Sequence, residues 1–267
     1  MDNKFKGGIA VFSQENRCLY RKNQLSEVIC QLRFPEILTI NANAPVDFQE
    51  AIRSEYPQYS AKQELVIPKL PGNVPVPRQE PVRNYLFASA DSQWRINLTS
   101  KFISLTCTNY TCWEDFAKKL DNPLAAFIKI YKPAYFERIG LRYLNFISRS
   151  ALSLQEQPFR ALIAPCYLGP LAETDIHETQ TNRCSTDCDL ALKNGCRAKI
   201  HAGPGTVKIN GQSDPELKYI FDLDLYMPGS LPVNYSAAAL EALHSQSYPI
   251  FRGAITDDLH DAMEPET

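Results

Sequence analysis

The chain has 267 residues, 28 basic and 30 acidic side chains and a formal charge of −2, with 44% hydrophobic and 22% charged residues. That is the composition of a folded mixed protein, long enough for one large domain or two small ones with cores of their own. Near-balanced charge removes the bulk argument for non-specific binding to nucleic acid or anionic membrane, and no apolar run approaches the ~18–20 residues of a spanning helix.

Met1 to Val11 is charged and Gly-rich, with no apolar stretch ahead of a cleavage site, so no secretory signal is expected. Eight cysteines without an export signal read as reduced thiols in a cytoplasmic protein. Residues 1–24 carry no sustained period and are expected to form a tail or an edge segment. From Leu25 the pattern becomes regular: Val28, Cys30, Leu32 and Phe34 alternate with Ile29, Gln31 and Arg33, the period of a half-buried strand. Pro45 opens a short helix through Phe48, Ile52 and Tyr56, which Pro57 stops. Glu64–Ile67 reads as a strand, and the five prolines from Pro68 to Pro81 read as a stiff extended loop. Tyr85–Ala90, Gln93–Leu98 and Phe102–Thr108 are three short strands joined by tight turns. Thr111-x-x-Glu114 has the pattern of a capping box before an amphipathic run that Pro123 interrupts, predicting a kink or two abutting helices.

The second half repeats that order. Phe136–Ile147 reads as a strand and Pro158 opens a helix; strands follow within Thr174–Arg183, Asp187–Leu192, Arg197–His201 and Lys218–Tyr226. A long C-terminal helix begins at Asn234 or Ser236 and contains Pro249. The expected fold is α+β, with two tandem β-α-β(3–4)-α modules, an antiparallel sheet and helices packed on one face. The modules span residues 25–133 and 134–267, and Pro133-Ala134 between them is too short for a flexible linker.

The stretches LSEVICQLRF at 25–34, FERIGLRYLN at 136–145 and AITDDLH at 254–260 together resemble a sporadically distributed, uncharacterised prokaryotic family of about this length. The resemblance implies a bacterial or archaeal cytosolic protein and supplies no catalytic residue to carry over. The element order is also similar, in topology only, to the saddle module of TATA-binding proteins and to helix-grip ligand folds, a likeness that does not license function.

The leading site candidates are the arginines of the two repeated strands. Arg33 shares a strand face with Gln31, and Arg138 shares one with Arg142, with Gly140 between them leaving room. Guanidinium forks suit carboxylate or phosphate recognition; the competing reading is cross-strand pairing with Asp222 and Asp224. Cys184, Cys188, Cys196 and His201 contain the ligand types of a zinc site but lack paired Cys-x2-Cys spacing, so no metal and no cofactor is expected. Ala202-Gly-Pro-Gly205 reads as a turn, since no Gly-Lys-Ser/Thr ending follows. His244 and His260 read as part of a solvated helix face. With no coherent catalytic constellation, the reading leans away from an enzyme. It favours a non-enzymatic binding or regulatory module, by association an accessory component of a prokaryotic conflict or defence system. The expected partner is another protein. The alternatives are an enzyme or sensor binding a small anionic, phosphorylated or nucleotide-like ligand through an arginine-lined groove, and a nucleic-acid-binding protein, which the missing net basicity disfavours.

Overall fold

The computed structural model describes residues 12–64, 82–209 and 211–266. The fold is mixed α+β, with a large multi-stranded antiparallel sheet and several helices. The sheet strands are β1 (Leu25–Arg33), β2 (Gln58–Glu64), β3 (Val82–Ala88), β4 (Trp94–Leu98), β5 (Phe102–Cys107), β6 (Phe136–Ile147), β7 (Thr186–Ala191), β8 (Arg197–Gly205) and β9 (Lys218–Leu231). Their hydrogen-bonded order is β2-β3-β4-β5-β1-β6-β9-β8-β7. The helices are α1 (Leu38–Ala42), α2 (Val46–Ile52), α3 (Trp113–Tyr131), α4 (Phe159–Leu162), α5 (Pro165–Leu168), α6 (Ser236–Ala254) and α7 (Asp257–Ala262). Among the described residues, no helix is long and apolar enough to cross a membrane.

The described residues fall into two compact units that do not follow the division at 133/134 expected from the sequence. One takes in Met1–Ser26, Arg142–Tyr226 and Glu241–Thr267; the other takes in Glu27–Leu141 and Met227–Leu240. The reason lies in the chain path. Strands β6 and β9 are 12 and 14 residues long, and each contributes residues to both units.

In the unit built on Glu27–Leu141, period-2 alternation sends Val28, Cys30, Leu32, Ile96, Leu98, Ile103 and Leu105 to one face, all at most 1% exposed. Helices α2 and α3 cover that face. Phe48 meets Phe87 edge-on at 5.5 Å, and Phe127 lies 4.7 Å from Phe34. Of the two outcomes expected at Pro123, a kink or two abutting helices, the second does not occur: α3 is one helix from Trp113 to Tyr131 with Pro123 inside it. Proline has no N–H for the carbonyl four residues back, and that carbonyl, Lys119 O, instead accepts the Tyr56 hydroxyl at 3.0 Å. The capping box does not form either. Cys112 occupies the cap position without a side-chain bond, while the Thr111 hydroxyl donates to Asp115 Oδ2 at 2.9 Å. Strand β2 occupies Gln58–Glu64; of the strand expected at Glu64–Ile67 only Glu64 is described, and the rest of it and the proline-rich loop lie outside the described residues.

The other unit packs α4, α5, the Glu241–Ala254 part of α6 and α7 against β8 and β9. Tyr219, Phe221, Leu223 and Leu225 form the buried row of β9, at most 1% exposed. Phe221 meets Tyr167 of α5 and Phe251 of α6 edge-on. Thr174–Arg183, expected as a strand, is irregular apart from a 3-10 turn at Glu178–Gln180. Leu19–Tyr20 pairs with Pro265–Glu266, so the described part of the N-terminal segment is an edge strap on the C-terminal helices.

The cysteines sort by burial into a prediction. All eight are free. Burial pushes the Cys30 thiol up to about 12, against the pull of the Arg138 charge, and raises Cys107 and Cys196 as well. Brief iodoacetamide treatment of the folded chain is expected to mark exposed Cys166 and to leave Cys30, Cys107 and Cys196 unmodified, as read by peptide mass spectrometry. Labelling of Cys30 at the rate of Cys166 would contradict this packing.

Candidate functional site

The face of β9, β8 and β7 opposite the helices carries charge in cross-strand rows. Alternation puts Asp222 and Asp224 of β9, Lys199 and His201 of β8, and Asp187 and Asp189 of β7 on that face. Register then places Asp222 beside His201 and His201 beside Asp187; in the next row Asp224, Lys199 and Asp189 are neighbours. Directly opposed side chains in a sheet sit ~4.5–5.5 Å apart at Cβ, close enough for such pairs to interact.

Arg142 of β6 closes the first row. Its Nε and Nη2 donate to the two oxygens of Asp222 at 2.6 and 2.5 Å, a bidentate fork. The cross-strand pairing weighed from the sequence is therefore present at Arg142. At the other end of the row, His201 Nδ1 lies 2.7 Å from Asp187 Oδ1, with both side chains largely in solvent. Lys199 Nζ sits 5.7 Å from the centre of the Tyr226 ring. The charged residues of the two rows, with Cys188 and Ile200 between them, wall an open pocket of about 470 Å³, within the ~300–1,000 Å³ range of ligand sites. Four aspartates face one guanidinium and one ammonium there, so carboxylates outnumber the permanent cations of the lining.

Arg142 keeps 42% of its side chain exposed, so solvent screens the pair. A double-mutant cycle of Arg142→Met and Asp222→Asn is expected to give a coupling of about 1 kcal/mol that weakens with added salt. Urea unfolding at two ionic strengths measures it, and a coupling near zero in both would remove the fork's role in shaping this face.

The remaining sequence candidates lie elsewhere. Gln31 faces Ser104 and exposed Arg33 faces Phe102, in the unit built on Glu27–Leu141. Arg138 belongs to the same unit, and the room left by Gly140 is filled by its own guanidinium: a Cβ on Gly140 would come within 2.3 Å of Arg138 Nη1. The four weak metal candidates do not converge. Cys188 opposes Ile200 on the helix-covered face, His201 is on the opposite face, Cys184 Sγ bonds Leu168 O at 3.4 Å, and Cys196 is buried. Among the described residues, no group of three or more His, Cys, Asp or Glu is placed to hold a metal ion. His244 is buried and hydrogen-bonded to Tyr143 Oη at 2.8 Å, and His260 Nδ1 bonds Tyr20 Oη at 2.8 Å, so neither belongs to a bare solvated face. Asp187, Asp189 and Lys199 were missed, although the alternation of charged and apolar residues over 186–191 and 197–201 was there to find them.

Neither a protein-family model nor a curated protein matches the chain.

Proposed function

We propose that this protein is a non-enzymatic binding or regulatory module whose partner is another protein, in the prokaryotic cytosol that the sequence resemblance implies. One observation carries the reading: among the described residues, the sheet face around Arg142–Asp222 and His201–Asp187 opens into a pocket, is ordered by ion pairs and carries more carboxylates than permanent cations. Such a surface steers a basic partner and repels phosphate and nucleic acid. The chemistry of the pocket supports binding over catalysis. The fork of Arg142 is engaged by Asp222, and the thiol nearest His201 in sequence register, Cys188, belongs to the other face of its strand. The test is capture by the immobilised chain beside its Asp224→Lys variant. A protein retained by wild type at low salt and lost from the variant is expected; retention of nucleic acid, or identical capture by both, would overturn the reading.

We also infer an internal duplication. The order strand, short helices, strands, long helix occurs twice, and each 19-residue long helix contains a proline, Pro123 or Pro249. Outward from β1 the sheet runs β5-β4-β3-β2; outward from β6 it runs β9-β8-β7, so the first and last strands of each half are neighbours. Arg33 and Arg142 would then be equivalent positions, of which Arg142 faces an aspartate and Arg33 a phenylalanine. The acidic rows would be a specialisation of the second copy.

A further inference from the structure

We propose that the outer edge of β7 is a docking edge for an extended segment of a partner protein with basic side chains at alternate positions, added as a further strand. The proposal rests on the binding-module reading and names the kind of partner. Strand β7 ends the sheet order and pairs through unbroken register, from Thr186–Ala202 to Ala191–Arg197, with β8 alone. Among the described residues, no backbone or side-chain group bonds its main chain from the other side. A row of free N–H and C=O groups is a template for strand addition, and this one has no proline, lysine or bulge to blunt it.

The packing beneath the edge is unfinished in the same place. Ala198, Ile200 and Ala202 of β8 are at most 2% exposed, whereas Thr186, Cys188 and Leu190, on the same face one strand further out, are only half-buried. A strand laid beside β7 would extend that apolar strip over Cys188 and Leu190. On the opposite face Asp187 and Asp189 are exposed, two residues apart, the spacing of side chains that share one face of a strand. They choose the occupant. A second copy of β7 would set carboxylate against carboxylate, while alternate Arg or Lys would meet them as cross-strand ion pairs.

The test uses the full chain and a labelled hexapeptide of alternating arginine and valine, with a block isomer of three arginines followed by three valines as control. The alternating peptide is expected to bind at least tenfold tighter than its isomer, by fluorescence anisotropy. Hydrogen exchange in the complex should slow at the amides of 186–191. Of two peptides N-methylated on alternate sets of amides, one should lose binding and the other keep it, because only one set faces the protein. Asp187→Lys with Asp189→Lys, both exposed, should weaken the alternating peptide at least tenfold. Equal binding of the isomers, equal loss from both methylated peptides, or protection confined to residues other than 186–191 would overturn the edge. The capture experiment with Asp224→Lys judges the wider binding reading independently, since that residue lies two strands inward.

Discussion

Replacing Arg252 by Met is expected to lower the unfolding free energy by about 2–4 kcal/mol, the sum expected for stranding a buried acceptor and losing charge-assisted hydrogen bonds. Arg252 sits near the end of α6 with 8% of its side chain exposed. Its Nε donates to Glu15 at 2.8 Å, its Nη2 to Asp257 and its Nη1 to the Ile255 carbonyl at 3.3 Å. One guanidinium thus holds the N-terminal strap, the α6–α7 junction and the first turn of α7. The partners are unequal. Glu15 and Asp257 are mostly in solvent and regain water when the arginine is removed, so Glu15→Gln or Asp257→Asn should each cost only about 0–1 kcal/mol. Urea unfolding of the three variants should reproduce that asymmetry, and limited proteolysis should cut residues 12–22 faster in Arg252→Met. An arginine variant no weaker than Asp257→Asn would mean that the strap is held by the Leu19–Tyr20 and Pro265–Glu266 pairing instead.

Strands with one covered face were legible because burial imposes alternation. Val28 to Arg33, Trp94 to Leu98 and Lys218 to Tyr226 appear where the sequence puts them. Strand β2 was not, since the side chains of Gln58 to Gln63 are all exposed and nothing selects a period. Pro123 misled in part, where two abutting helices were one alternative, and for a different reason. A proline is read locally as a breaker, but the cost depends on whether the orphaned carbonyl finds another donor, and Tyr56 is 63 residues away from Lys119. Similarly, His244 reads as polar and surface-bound until Tyr143, 101 residues earlier, satisfies it in the core.

At the candidate site, strand and face were readable for Arg142, and alternation offered Asp222 and Asp224 together as partners of the strand arginines without choosing between them. Register between strands distant in sequence was not readable, and register is what sets His201 beside Asp187 and Lys199 between two aspartates. The cysteine cluster shows the converse limit. Ligand types close in sequence suggested convergence, yet a shift of one residue along a strand moves a side chain to the other face, which separates Cys188 from His201.

Acid should weaken the fold through Glu216. Its Oε1 accepts the Ser150 amide at 2.9 Å, and its Oε2 accepts the Ser148 and Ser150 hydroxyls at 2.7 and 2.8 Å and the Lys218 ammonium at 3.2 Å. Burial pushes this carboxyl up, but the Ser150 amide, the two hydroxyls and the ammonium outweigh it and hold the group at about 2, below its ordinary 4.5. A folded-state pKa below the unfolded one means that the folded chain binds this proton less readily. The contribution is complete above pH 4.5 and is lost as the pH falls toward 2. Discounted for solvent screening, a depression of that size corresponds to about 1–3 kcal/mol at neutral pH. Glu216→Gln should therefore cost about that much at pH 7 and almost nothing near pH 2, because protonated glutamate and glutamine are then alike in charge. Urea unfolding of both chains between pH 2 and 7 measures the difference. Curves that stay parallel across pH 4.5 to 2 would show that the clasp joining Ser148, Ser150 and Lys218 does not depend on the ionised carboxylate.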